Sequence, residues 1–157
     1  MTRLLILIAS LYLSSAAYAA ASPPDADEAA VKAVLATYKS ALERRDLTGT
    51  EALFADNNVV AESGKLEGSY RDYIEHHIGP ELGHFTRFAF SDYEVRVERV
   101  GDVAWATETY RYVIELKDRA EPIERQGLST TVLQRLDGQW RIRSMHSSSR
   151  APKPAAP

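Results

Sequence analysis

The chain has 157 residues, a formal net charge of −3, 45% hydrophobic residues and no cysteine. This composition suits one globular domain. It excludes disulfides and lipid attachment through cysteine, so the fold must rest on its core alone. Arg and Lys are interleaved with Asp and Glu and form no basic patch, which argues against nucleic acid as a partner.

Residues 1–21 read as a cleavable secretory signal. Arg3 supplies the positive end and Leu4–Leu13 an apolar run of about ten residues, and both Ala17-Tyr18-Ala19 and Ala19-Ala20-Ala21 fit the A-x-A cleavage pattern. The run falls far short of the roughly 20 residues that a membrane-spanning helix needs. A periplasmic or secreted location is expected, with no membrane attachment after cleavage. Loss of Arg3 with the leader takes the net charge from −3 to −4. Residues 22–149 are expected to form the domain, followed by a Pro/Ala tail over 150–157.

After Ser22-Pro23-Pro24, Asp25 is a plausible helix cap, with Asp27 and Glu28 in the first turn. Apolar residues at Val31, Val34, Leu35, Tyr38 and Leu42 then fall at helical spacing with one buried stripe. Thr48 to Phe54 reads as a short second helix, Asp56-Asn57-Asn58 as a turn, and Val59 to Glu62 as a strand closed by Ser63-Gly64. Ser69 with Asp72 resembles a capping box opening a helix to about Ile78, which Gly79-Pro80 ends or kinks.

The second half reads as strands: Phe85–Val100, Val103–Lys117, Ile123–Leu136 and Gln139–Ser148. Phe88 and Phe90 share one parity while Tyr93, Val95 and Val97 share the other, so a bulge is expected near Ser91-Asp92. Gly101-Asp102 and Asp137-Gly138 are turns. Helices followed by a meander of long strands predict an α+β fold: N-terminal helices packed on a strongly curved antiparallel sheet that encloses a pocket.

Two stretches carry a family resemblance. Asp137-Gly138-Gln139-Trp140-Arg141-Ile142, followed by His146-Ser147-Ser148, looks like the last strand of many SnoaL-like domains, and Leu53 to Val60 is similar to the phrase leading into their first strand. The chain thus resembles the nuclear-transport-factor-2-like superfamily, which includes SnoaL-like proteins and ketosteroid isomerase. The resemblance implies a cone with an inner cavity, often as a homodimer, but no single activity. Compared with ketosteroid isomerase, it implies Tyr38 on the first helix as a hydrogen-bond donor and Glu62 at the end of the first strand as the proton carrier. The later-strand stretch Ser129–Leu133 contains no acid to act as second donor.

Other candidates follow from position. His146 shares strand parity with Trp140 and Ile142, which would turn it inward as an acid or base. Tyr73 and His77 can share a helix face as ligand-binding residues, and Trp105 is a candidate cavity aromatic. An inward Arg111 or Arg125 would suggest a carboxylate ligand. There is no Cys nucleophile, no G-x-S-x-G and no phosphate loop, so no cofactor is expected. The histidines lack metal-ligand spacing and no metal site is expected, although handling of a metal by His76, His77, His84 and His146 is a third possibility. The expectation is a domain binding a small apolar or aromatic molecule, with Glu62 or His146 moving a proton; a carrier or dimerisation module is the alternative.

Overall fold

The computed structural model describes residues 24–153; the expected leader and the last four residues of the tail lie outside them. Helix α1 (Pro24–Arg44) buries Val31, Leu35, Tyr38 and Leu42, the stripe that its spacing predicts. It ends in a Schellman motif, with Arg45 in the left-handed region at φ 57° and Asp46 N donating to Ala41 O at 3.0 Å. The expected second helix is only a 3₁₀ turn, Thr50–Leu53, because β1 (Phe54–Glu62) already begins at Phe54.

Strand β2 (Lys65–Gly68) returns along β1. Helix α2 (Tyr70–Tyr73) opens on the predicted capping box, the Ser69 hydroxyl accepting from Asp72 N at 3.2 Å while Asp72 accepts from Ser69 N at 2.9 Å. Gly79-Pro80 does not end this helical segment. The chain passes through a π turn (Ile74–Ile78) into α3 (Gly79–His84). Gly79 N–H bonds to Ile74 O, and a Cβ at position 79 would stand 2.3 Å from that oxygen, so glycine is needed there. The wider turn also relieves the press of the Pro80 ring on the preceding carbonyls.

Strands β3 (Phe85–Val100), β4 (Val103–Leu116), β5 (Arg119–Leu136) and β6 (Gln139–Arg150) complete an open six-stranded sheet in the order β2-β1-β6-β5-β4-β3. All pairings are antiparallel except β1 with β6, which is parallel. The predicted bulge appears as a register shift between Ser91 and Glu94, with Asp92 at φ 48°. A second irregularity, between Val132 and Leu133 against β6, leaves Arg143 unpaired. Such bulges bend a sheet. Its concave face takes α1 and the α2–α3 segment.

The motif around Trp140 has a structural reason. Asp27, buried on the first turn of α1, accepts from Trp140 Nε1 at 3.2 Å and from the Arg135 guanidinium at 3.1 Å. Arg135 in turn pairs with Asp102 at 2.6 Å. This network pins the start of α1 to two hairpin turns.

Candidate functional site

Between α1, the α2–α3 segment and the concave sheet face lies a cavity of about 110 Å³. Helix α1 contributes Tyr38, Lys39 and Leu42, and the α2–α3 segment contributes Tyr73, Ile78 and Glu81. Glu62 enters from the end of β1, while Glu108, Tyr110 and Tyr112 alternate along the inner face of β4. Phe88, Phe90 and Tyr93 close one side and Ser147–Ser149 another.

Glu62 shares strand parity with buried Val60, which turns it toward the cavity. Its side chain keeps 30% exposure. The Tyr73 hydroxyl donates to Glu62 Oε2 at 2.5 Å, and His77 Nε2 stands 3.9 Å from the same oxygen. His77 is shared among carboxylates: Nδ1 lies 2.9 Å from Glu67 Oε1 and Nε2 3.4 Å from Glu81 Oε1. The Glu67 side chain is only 4% exposed. Tyr73, His77 and Glu81 recur every four residues across the π turn and so present one face to the mouth.

Tyr38 packs edge-on against Phe54 and Tyr70. Burial first, then the neighbouring Tyr70 and the charge of Glu62, push its phenol well above the ordinary range, so it stays a neutral donor. Tyr70, hydrogen-bonded with Thr50 at 2.8 Å, is pushed up by burial to about 12. Tyr73 is raised by burial, then by Tyr38 and Glu62.

Glu108 is the residue that sequence reasoning missed as a site group. It is buried, on the same parity as Ala104 and Ala106, and faces Ser129 directly across the β4–β5 ladder. An acid thus stands on the neighbouring strand, opposite the acid-free stretch Ser129–Leu133. Burial raises the Glu108 carboxyl above the usual carboxylate range, outweighing hydrogen bonds from the Tyr93 and Thr131 hydroxyls. The available signal was an acid in phase with two alanines and with Tyr110 and Tyr112.

Tyr38, Glu62 and Tyr73 thus come together, with His77 beside Glu62. Two expected residues do not join them. His146 is exposed on the outer face of the sheet: the bulge at Arg143 shifts parity after Ile142, so Met145 and Ser147 turn inward in its place. Trp105 is 39% exposed on the same outer face, because Ala104 and Ala106 take the inner positions of β4. Arg111 also faces outward, 3.3 Å from Asp92, while Arg125, opposite Tyr112, is half-buried on the inner parity of Gly127 and Ser129 but lies beyond the cavity lining. His76 and His84 are exposed on the helical segment, and among the described residues no three His, Asp or Glu side chains are grouped to hold a metal ion.

A family model for the SnoaL-like domain matches residues 31–152. No match was found among curated proteins. Among solved structures, a candidate dehydratase of the nuclear-transport-factor-2-like family from Streptomyces avermitilis is 18% identical with a TM-score of 0.70, covering 83% of this chain and 100% of that one. A candidate ketosteroid isomerase from Shewanella frigidimarina is 26% identical with a TM-score of 0.66, covering 76% and 94%. A hexachlorocyclohexane dehydrochlorinase from Novosphingobium barchaimii is 16% identical with a TM-score of 0.69, covering 83% and 91%.

Proposed function

The chain belongs to the SnoaL-like domain family, a small-molecule-binding fold, and from that premise we propose that it is an exported enzyme moving a proton on a small, largely apolar or aromatic molecule held in its cavity. Glu62 is the base, its carboxylate steadied by the Tyr73 hydroxyl and flanked by His77. Tyr38 and the Glu108 carboxyl, held toward its neutral form, are donors for negative charge developing on the substrate. Isomerisation, elimination of water or its addition all fit such a set.

The observation that carries this reading is the contrast between two carboxyls in one cavity. Glu62 is part-exposed beside a histidine, whereas Glu108 is buried and biased toward protonation. Carboxyls in opposed surroundings divide acid and base roles between them. The dehydratase, isomerase and dehydrochlorinase names of the structural neighbours agree with this class. Export is supported by Arg3, the apolar run Leu4–Leu13 and the A-x-A sites, outside the described residues. Self-association is proposed through the outer sheet face, where Val59, Val103, Trp105, Leu128 and Val132 are exposed.

The cavity, about 110 Å³, is of the order of the roughly 150 Å³ that holds benzene and opens to solvent past Glu62 and Glu81, so one-ring substrates are the right probes. The protein should shift the double bond of cyclohex-3-en-1-one into conjugation, read as enone absorbance. Glu62→Gln should slow this by about 10²–10⁴-fold with the fold intact by circular dichroism. If the ketone binds but neither isomerises nor exchanges its α-hydrogens in D₂O, the domain is a carrier and the catalytic reading falls.

A further inference from the structure

We propose that the natural ligand of the cavity is a small organic cation, an ammonium nitrogen on a one-ring or branched apolar body. The inference rests on the reading of this cavity as the binding site, and on nothing catalytic.

The charges of the lining do not balance. Glu62 and Glu81 line the cavity together with Glu108, which is held toward its neutral form, against a single lining cation, Lys39, and Lys39 Nζ is already 2.7 Å from Glu43 Oε2. At the mouth His77 is divided among Glu62, Glu67 and Glu81, and Lys65 pairs with Glu67 at 2.8 Å. Burial is the first cause of the raised hydroxyls of Tyr38, Tyr73, Tyr110 and Tyr112, and the negative charge of Glu62 adds to it at each. At Tyr112 the charge of Glu62 outweighs the opposing one of Arg125. Glu81 is raised by burial and by the charges of Glu62 and Glu67, against the pull of His77.

The walls suit the same ligand. Lys39 Nζ lies 5.6 Å from the centre of the Phe90 ring and 5.4 Å from that of Tyr93, so this aromatic surface already receives an ammonium group. Tyr110 and Tyr112 continue it, packed against Phe90 at 5.2 and 6.0 Å between centroids. A carboxylate ligand would meet Glu62 and Glu81 with no uncommitted cation among the lining residues. A neutral ligand would leave the field of Glu62 unanswered. An ammonium meets both the carboxylates and the ring faces, and an enclosed site strengthens each attraction.

The test is calorimetry on the intact protein at pH 7.5 with three probes of similar shape: benzylamine, benzyl alcohol and benzoate. Benzylamine should bind about tenfold more tightly than benzyl alcohol, and benzoate more weakly than either. Glu62→Gln should erase most of the amine's advantage, whereas Trp105→Ala, on the outer face, should leave it. Phe90→Leu should weaken amine binding selectively and serves if Glu62→Gln does not fold. Benzoate matching benzylamine, or an amine advantage that survives Glu62→Gln, overturns the inference. Equal binding of amine and alcohol removes the cation preference while leaving the cavity as the binding site; failure of all three probes removes both.

Discussion

Gly127 couples the sheet to the cavity wall, and its replacement has a cost that can be worked from geometry. It is buried on β5, directly across from Tyr110 on β4. A Cβ at position 127 would stand 2.1 Å from Tyr110 Cε2 and 2.8 Å from Cδ2 and Cζ, whereas ordinary contact begins at 3.4 Å. The ring therefore occupies the space a methyl group needs and must move by more than an ångström to admit it. Gly127→Ala should therefore cost about 1–3 kcal/mol by overpacking, with Tyr110 driven toward a cavity of only about 110 Å³. In a Tyr110→Ala background the obstruction is gone. There the same substitution should stabilise by about 0.5–1 kcal/mol, since alanine loses less backbone freedom than glycine on entering a strand. Urea unfolding of the four proteins, followed by the fluorescence of buried Trp140 at constant m, gives the coupling directly. A change of sign between backgrounds is expected, and an equal cost in both refutes the argument.

Three further outcomes follow from other contacts. Asp27→Ala strands the Trp140 indole N–H and takes one partner from each of two guanidinium groups, Arg135 at 3.1 Å, which keeps Asp102, and Arg99 at 3.5 Å, which keeps Gly101 O. Both arginines keep a second partner and about a quarter of their side chain exposed, so the loss, set mainly by the indole N–H, should be about 2 kcal/mol, roughly 6 °C in Tm; a loss under about 0.5 kcal/mol would show the network to be idle. Glu108 has a raised folded-state pKa, so its contribution to stability is complete below the unfolded carboxyl value and is lost as pH rises through the folded one. Glu108→Gln should remove that loss, and the variant should gain on the wild type between pH 4 and pH 8 in denaturant titrations; parallel pH curves would count against a buried neutral carboxyl. Trp105→Glu places a charge on the exposed apolar face and should give monomers in sedimentation where the parent self-associates; an unchanged assembly state rules out that face as the contact.

Elements whose identity depends on local chemistry were legible in the chain. The α1 stripe, the Ser69–Asp72 cap, the bulge before Glu94 and the Asp137-Gly138 turn each announce themselves within a few residues, and each forms. Asp137 and Gly138 both take positive φ, 49° and 78°, as a two-residue hairpin demands. The parallel pairing of β1 with β6 was not legible, because it joins segments some eighty residues apart and leaves no local trace. The continuation of the helix past Gly79-Pro80 was hidden for another reason. Proline predicts a break only where the turn is a regular α-turn, and here an inserted residue widens it.

Strand parity located side chains only within stretches free of irregularities. Glu62 was suggested by the family resemblance, and it lines the cavity in phase with Val60, the pairing of both with β6 running without a shift. His146 was placed wrongly because a period of two carries no information across a bulge, and one extra residue at Arg143 exchanges it with Met145. Glu108 was legible in principle, since no bulge interrupts β4 between Ala104 and Tyr110, but its acidity suggested solvent. A carboxyl is tolerated on a buried parity only when donors meet it or when it gives up its charge. Tyr93 and Thr131, which do the former, come from β3 and β5. Burial, which favours the latter, comes from helix α1 closing over the sheet. Neither condition is written near position 108, and both come from elements that meet only in the folded sheet, so the buried carboxyl of the cavity is the lining group its own strand predicts least.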